Sequence, residues 1–183
     1  PDWQLYFGML QALYKNNPVK LDIAGTVESI AEITPKTLFD AYDTFYNLEN
    51  MVLVVAGDVD KEKVLDVCDK LLEYKEAPKT ERIYPNEQEG VNLNEVSKKM
   101  AVSMPMFSVG IKDNDVNFAG NALAKKRATY GIALDLMFSK SSPFYERLVN
   151  MGLIDSSFSF AYEAHETFGY AELSGNSNEP ERV

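Results

Sequence analysis

The first residue to consider is the chain's single histidine, because imidazole is the most frequent side chain in metal binding and proton transfer. His165 lies close to Glu163 and Glu166, and a histidine flanked by carboxylates could contribute to a metal site. A zinc site needs several converging ligands, and its histidines and cysteines usually occur at recognisable spacings. One histidine without cysteine partners does not meet this requirement. We therefore interpret His165 as an exposed turn residue.

Other residues that could carry out chemistry have simpler structural explanations. No partner pattern around His165 supports a Ser–His–Asp arrangement. Gly8, Gly25 and Gly57 are isolated, so a phosphate-binding glycine loop is not supported. The basic triplet at residues 125–127 is typical of a solvated helix face.

The carboxylates also lack the spacing of a catalytic or metal-binding motif. Asp58 and Asp60 follow a pattern typical of a buried strand, and helix capping explains them more simply than a site does. Asp113, Asp115 and Asp135 have no motif spacing. Residue chemistry alone thus assigns no catalytic residue and no metal ligand, and it leaves substrate-binding residues unknown.

Composition limits the partners that the chain can have. Its 183 residues contain 18 Lys and Arg against 28 Asp and Glu, a net charge of −10. This acidic charge disfavours nucleic-acid binding and docking on anionic membranes. Cys68 is the single cysteine, so no intrachain disulfide can form, and its apolar neighbours favour a buried structural thiol. The absence of a disulfide framework fits a cytoplasmic location.

The apolar periodicity predicts an α+β protein. We expect a short helix capped by Thr26 and longer helices at residues 3–15, 35–46, 61–73, 117–138 and from 143 to a stop at Gly152. Strands are predicted at residues 51–56, 96–104 (continuing past Pro105 into 106–113), 156–163 and 168–174. The six apolar residues at 51–56 indicate a strand buried on both faces. A charged, proline-containing stretch at about 75–92 is typical of a connector.

Within this pattern, one contiguous block resembles a known family, the insulinase-like, pitrilysin-type (M16) zinc metallopeptidases. The matching residues are ordered along the chain: Gly25, Thr26, Glu28, Ser29, Ile30, Thr34, Phe45, Tyr46, Asn50, Met51, Gly57 and Asp58. The segment at residues 141–153 is similar to the family's Ser-Ser segment that ends in a Gly-Leu turn. The N-terminal region is similar to a bacterial, processing-peptidase-like subfamily. It departs from the family at Asn17, where His usually precedes the proline.

The resemblance implies an architecture of homologous α+β domains, with antiparallel-rich sheets and helices packed on one side. On this basis, residues 1–75 would be the rear of a first domain and residues 76–94 a linker. Residues 95–183 would be the front of a second domain that does not bind zinc. The chain would therefore be an internal fragment of a longer protein.

The same resemblance implies zinc chemistry in that longer protein. Family members carry an inverted motif, His-x-x-Glu-His, and a third glutamate ligand on a later helix, which here would lie before Pro1. None of these ligands can be carried over, so no zinc is expected in the 183 residues themselves. The family's second domain can contact substrate through an Arg–Tyr pair. Tyr145, Arg147 and Tyr162 lie in that region, but their spacing does not match and they receive no role.

Three functional hypotheses follow. The longer protein could be a zinc endopeptidase that cleaves peptides or small unfolded polypeptides, the fragment being inactive alone. It could instead be a catalytically silent M16-like partner subunit. The third hypothesis is a free-standing acidic protein-binding module. A homologous M16 partner subunit or self-association is expected, because an interrupted domain leaves apolar faces and sheet edges exposed.

Overall fold

The computed structural model describes residues 1–74 and 80–183. Its α-helices are α1 (Asp2–Leu13), α2 (Val27–Ala31), α3 (Pro35–Phe45), α4 (Lys61–Leu71), α5 (Gly120–Phe138) and α6 (Pro143–Asn150). Its strands are β1 (Met106–Asp113), β2 (Ser159–Ala164) and β3 (Gly169–Asn176). Short 3-10 helices lie at Pro18–Lys20, Leu48–Asn50 and Pro180–Arg182.

The chain divides into two compact units. The first, which we call the sheet unit, contains Pro1–Ile23 and Tyr84–Val183; the second, the helical unit, is Ala24–Ile83. Part of the predicted linker, residues 76–79, lies outside the described residues. The predicted division into 1–75, 76–94 and 95–183 stays a prediction.

The sheet unit is built on three antiparallel strands in the order β1-β3-β2. The register places Gly110 opposite Glu172, and Val109 opposite Leu173. Because side chains alternate along a strand, these two pairs face opposite sides of the sheet. Helix α1 covers the side of Gly110, where a Cβ would lie only 2.7 Å from Met9 Cγ. A glycine is required there because it lets the helix approach closely.

Helices α5 and α6 cover the opposite side of the sheet. Phe160 and Tyr162 of β2 share a face with Leu173 and Ala171, and α5 packs on this face through Phe138 and Tyr130. The α+β class is confirmed. Helices contact both faces of this sheet, not one side as predicted, because Gly110 leaves room for α1 on the second face.

Each side of the sheet has its own apolar core. The α1 side buries Met9, Leu10, Leu13, Tyr14 and Tyr170. The α6 side buries Phe107, Leu148, Leu153, Ile154, Phe158 and Leu173. Burial of large side chains on both faces is the main source of stability for such a layered unit.

The helical unit has well-formed local structure but no buried residue among those described. The helices at 35–46 and 61–73 are confirmed with slightly earlier ends, as is the short helix after Thr26. The predicted strand at 51–56 is wrong for the described residues. Those residues form no ladder, and Val52 is 89% exposed. A strand needs a partner, and no described residue pairs with it.

Two further predictions are corrected. Residues 96–104 form no strand, and the ladder begins only at Met106. Cys68 is half-buried rather than buried, because no described element covers this face of α4. The predicted helix at 117–138, the α6 helix with its stop at Gly152, and the two C-terminal strands are confirmed within three residues. No helix among the described residues is long and apolar enough to cross a membrane.

Candidate functional site

The best-developed polar cluster lies where β1 ends. Asp113, the last residue of β1, forms an ion pair with Lys126 of α5, with 2.8 Å between Nζ and Oδ2. Lys126 also contacts Asp115 Oδ2 at 3.3 Å and donates to the Asp115 carbonyl. The Tyr162 hydroxyl donates to the same Asp113 oxygen. Helix α5 and strands β1 and β2 thus meet in one network.

Burial and pairing together fix the charges of this cluster. The side chain of Lys126 is only 8% exposed, and its ammonium group lies 4.7 Å from the centre of the Phe118 ring. Burial by itself would raise the pKa of Asp113, but the hydrogen bonds from Lys126 and Tyr162 lower it. The pKa of Tyr162 is raised by burial and by the Asp113 carboxylate. A buried network whose members are paired in this way holds β1, β2 and α5 together.

A second buried ion pair lies on the other side of the sheet. Lys112 Nζ is 3.1 Å from Glu87 Oε1, and the two side chains are 4% and 12% exposed. Lys112 also donates to the carbonyls of Gln88 and Gly90. Its ammonium group lies 4.9 Å from the centre of the Tyr14 ring.

Glu87 lies against the turn that follows α1. Its carboxylate accepts hydrogen bonds from the backbone N–H groups of Lys15, Asn16 and Asn17, at 3.0, 2.7 and 2.6 Å. Burial alone would raise the pKa of Glu87, yet these three donors and Lys112 lower it to about 2. The carboxylate therefore stays ionised and fastens residue 87 to the turn after α1.

Strand alternation explains why these two ion pairs use neighbouring residues. Lys112 and Asp113 are adjacent in β1, so their side chains point to opposite faces of the sheet. Lys112 anchors the α1 side and Asp113 anchors the α5 side. The sequence showed no motif spacing for Asp113, Asp115 and Asp135. The structure brings the first two together at Lys126, whereas Asp135 lies on α5 beside an open cavity near the start of α6. Nothing in the charged stretch around Glu87 signalled its role.

His165 lies in the turn between β2 and β3, as predicted, and is half exposed. Its Nε2 is 4.0 Å from Glu163 Oε2, and its ring stacks on Phe168 with 4.6 Å between centroids. Arg127 Nε donates to the carbonyl of Ala164, and Arg127 Nη2 lies 3.5 Å from His165 Nδ1. The backbone carbonyl of Glu166 accepts a hydrogen bond from the Asn117 N–H.

Three of the residues that carried the family resemblance, Thr26, Ser29 and Thr34, take part in helix capping. Thr26 and Ser29 form a capping box at the start of α2, and Gly25 has a φ of 75°, in the left-handed region. Asp60 accepts hydrogen bonds from Glu62 and Lys63 at the start of α4, which confirms the predicted cap. These positions fix chain direction and do not form a reaction centre.

The Ser-Ser segment has the same kind of role. Ser142, 4% exposed, caps α6 by accepting from the Tyr145 N–H, and Pro143 follows at the first helical position. Tyr145 packs against Phe158, whereas Arg147 lies 5.9 Å over the Phe144 ring of its own helix. Tyr162 belongs to the Asp113 network. The structure gives these three residues separate packing roles.

Zinc chemistry does not fit these residues. Over residues 1–74 and 80–183, no group of three or more His, Cys, Asp or Glu side chains could hold a metal ion. The single histidine in the sequence also precludes a His-x-x-Glu-His motif within the 183 residues. We therefore derive no catalytic step through a metal.

The chain thus contains a layered α+β unit with buried ion pairs and, as a separate unit, capped helices with exposed apolar faces. The family model described as "Peptidase M16 inactive domain" matches residues 32–182. The chain belongs to the M16 peptidase family.

Two bacterial proteins illustrate the similarity. "Uncharacterized zinc protease YmfH" of Bacillus subtilis (strain 168) is 39% identical over 186 residues, which cover 100% of this chain and 44% of the relative. "Probable inactive metalloprotease YmfF" of the same organism is 29% identical over 68 residues, 37% of this chain and 16% of that protein.

A solved structure agrees in fold. The crystal structure of a putative M16-like peptidase from Alicyclobacillus acidocaldarius superposes with a TM-score of 0.89 at 37% identity. The match covers 100% of this chain and 44% of that chain. The 183 residues are thus matched along their whole length, yet they span less than half the length of YmfH and of the solved peptidase.

Proposed function

We propose that this chain is part of a longer M16 zinc endopeptidase that cleaves peptides or small unfolded polypeptides in the cytoplasm. The 183 residues contribute architecture and are inactive alone. The observation that carries this proposal is the full-length match to a relative named as a zinc protease. Zinc would belong to the longer protein, since the described residues do not fit a zinc site.

A second function is supported by a specific observation. One relative is named as a probable inactive metalloprotease, so the longer protein could instead be a silent subunit that pairs with an active M16 subunit. The two functions differ in whether His-x-x-Glu-His occurs outside the 183 residues. The acidic binding module, with a net charge of −10, is the remaining alternative.

The test is expression of the complete reading frame around these 183 codons. We expect bound zinc and cleavage of a quenched fluorescent peptide that a chelator abolishes, and we expect neither from the 183-residue chain. Replacing the motif glutamate by glutamine should remove cleavage and leave zinc bound. A longer protein without the motif, inactive unless mixed with a second M16 subunit, would favour the silent partner. A reading frame that ends at these 183 residues would favour the binding module.

A further inference from the structure

The turn between β2 and β3 is held by side chains from two other parts of the chain. Arg127 of α5 donates from Nε to the carbonyl of Ala164 at 2.7 Å. Asn17, which follows α1, donates from Nδ2 to the carbonyl of Thr167 at 3.3 Å. His165 lies between these two anchor points in sequence, and it is the chain's single histidine. Histidine is the side-chain type whose charge ordinarily changes between about pH 5 and 8.

The ring of His165 has a differently charged neighbour at each nitrogen. Arg127 Nη2 lies 3.5 Å from Nδ1, and Glu163 Oε2 lies 4.0 Å from Nε2. A guanidinium nitrogen can only donate a hydrogen bond, and a carboxylate oxygen can only accept one. The uncharged ring that fits both neighbours therefore accepts at Nδ1 and carries its proton at Nε2. Stacking on Phe168, with 4.6 Å between centroids, supports this placement of the ring.

Protonation of the ring changes its interactions with the two neighbours in opposite directions. The proton enters at Nδ1, so Arg127 then faces a donor instead of an acceptor, and two positive charges lie at that 3.5 Å contact. On the other side, the Glu163 carboxylate then faces a positive charge. Opposite charges attract and like charges repel most strongly at such short distances. A movement of about 1 Å toward Glu163 would bring Nε2 within ordinary hydrogen-bond distance.

The elements around the turn carry other charged and polar groups. Lys126 of α5 is paired with two aspartates, and Glu166 in the turn is exposed. Asn17, from the turn after α1, and Gly169, at the start of β3, are uncharged. Among the described residues, the contacts of the ring with charged side chains are therefore those with the arginine and the glutamate.

We propose that His165 is an acid-responsive switch with two ring positions: uncharged, it accepts a hydrogen bond from Arg127, and protonated, it moves toward Glu163. In the acid position, Arg127 keeps its bond to the Ala164 carbonyl but loses its contact with the ring. The turn between β2 and β3 is then held less firmly on α5. This switch goes beyond the proposed function, and it depends neither on zinc nor on peptide cleavage.

The test is an NMR titration of the complete protein, labelled with ¹⁵N in histidine and arginine, between about pH 5 and 8. The His165 signals are those that disappear in His165→Asn. We expect the uncharged ring to carry its proton at Nε2, and we expect the Arg127 Nε–H signal to shift with the same midpoint as the ring. An uncharged ring protonated at Nδ1 would overturn the proposal, as would an Arg127 signal that does not follow the titration.

Two variants that each remove one charge test the two ring positions separately. Arg127→Gln should raise the titration midpoint of His165 by at least about 0.3 pH unit, because the protonated ring is no longer repelled. Glu163→Gln should lower the midpoint by about the same amount, because the protonated ring loses its carboxylate. The histidine and the glutamate are 52% and 51% exposed, so solvent screening keeps both shifts small.

Lys125→Gln and Glu146→Gln are the matched controls, since each removes a charge of the same sign from an exposed helix position. They should move the midpoint by less than about 0.1 pH unit, because exposed charges outside the contact are screened by salt. The methyl signals of Leu153, which is 2% exposed, report whether each variant keeps its core. A shift in only one of the two test variants, or in neither, would overturn the two-position switch.

Discussion

The sheet unit and the helical unit differ in where their stability originates. The sheet unit buries large apolar side chains on both faces of β3 and joins its layers through the buried ion pairs of Lys112 and Asp113. The helical unit has capped helices of good local design but buries none of its described residues. Well-formed helices therefore do not by themselves make a core. Each helix cap contributes about 1 kcal/mol to stability, whereas each buried leucine side chain contributes about 2 kcal/mol.

The largest expected contrast is between two leucine truncations in the 183-residue chain. Leu10→Ala, at a site 1% exposed, should lower the free energy of unfolding by about 3 kcal/mol, because it leaves a cavity. Leu53→Ala, at a site 66% exposed, should change it by less than about 0.5 kcal/mol. Urea unfolding followed by circular dichroism and by the fluorescence of the single tryptophan, Trp3, measures both. A large cost for Leu53→Ala would show a core in the helical unit.

The next contrast concerns the anchor at Glu87. Glu87→Gln should destabilise the sheet unit by about 2 kcal/mol, since it weakens charge-assisted hydrogen bonds and leaves the buried Lys112 without its counterion. Glu89→Gln, at an exposed neighbouring glutamate, is the matched control and should be near neutral. Urea unfolding at neutral pH compares the two. Equal stabilities would mean that the anchor has no net effect.

The pH dependence of the same anchor follows from its lowered pKa. Glu87 has a pKa of about 2 against an ordinary value of 4.5. Its stabilising contribution is therefore complete above the ordinary value and is lost as pH falls through about 2. The difference in unfolding free energy between the native chain and Glu87→Gln should shrink between about pH 4.5 and 2. Urea titrations at pH 6, 4, 3 and 2 test this, and a difference that grows toward low pH would contradict it.

A smaller effect is expected at the Asp113 network. Tyr162→Phe removes one hydrogen bond to Asp113 but keeps the ring that stacks on Tyr130 at 4.5 Å. The expected cost is about 1 kcal/mol. Tyr145→Phe is the control, since the Tyr145 ring packs on Phe158 and removal of its hydroxyl should be neutral. Thermal unfolding of both variants would show whether the hydrogen bond from Tyr162 to Asp113 stabilises the fold or whether only the packing of the ring does.

The smallest effect is expected in the helical unit itself. Thr26→Ala removes the capping box of α2 and should weaken that helix by about 1 kcal/mol or less. Because no buried core among the described residues couples α2 to other elements, the loss should be confined to residues 27–31, as measured by NMR chemical shifts. Unfolding of the sheet unit should not change. Asp43→Ala, in the exposed interior of α3, should leave its helix intact.

The sequence predicted features that depend on nearby residues better than features that depend on distant ones. Thr26 and Asp60 were recognisable because a cap depends on residues within four positions of one another. The pairing of β2 with β3 was recognisable because a short turn joins two alternating segments. The Glu87 anchor was not recognisable, since its partners are about 70 residues earlier and 25 residues later in the chain.

The candidate site shows how much a family resemblance can indicate about function. The ordered block from Gly25 to Asp58 indicates the M16 family by its residue types and their order, and the family match confirms it. Several of those residues, such as Thr26, Ser29 and Thr34, are helix-capping residues, however. They identify the scaffold without placing a catalytic group in it.

By itself, the sequence determined the helices, their caps, the C-terminal hairpin and the family. Each depends on local periodicity, on turn chemistry, or on an ordered motif. Only the tertiary structure decided which apolar faces are buried, that α1 packs on the sheet opposite α5, and that Lys112 and Asp113 anchor opposite layers. It also showed that segment 51–56, strand-like in sequence, has no partner among the described residues. A strand is completed by hydrogen bonds to other segments, so local pattern can indicate the need for a partner but cannot supply one.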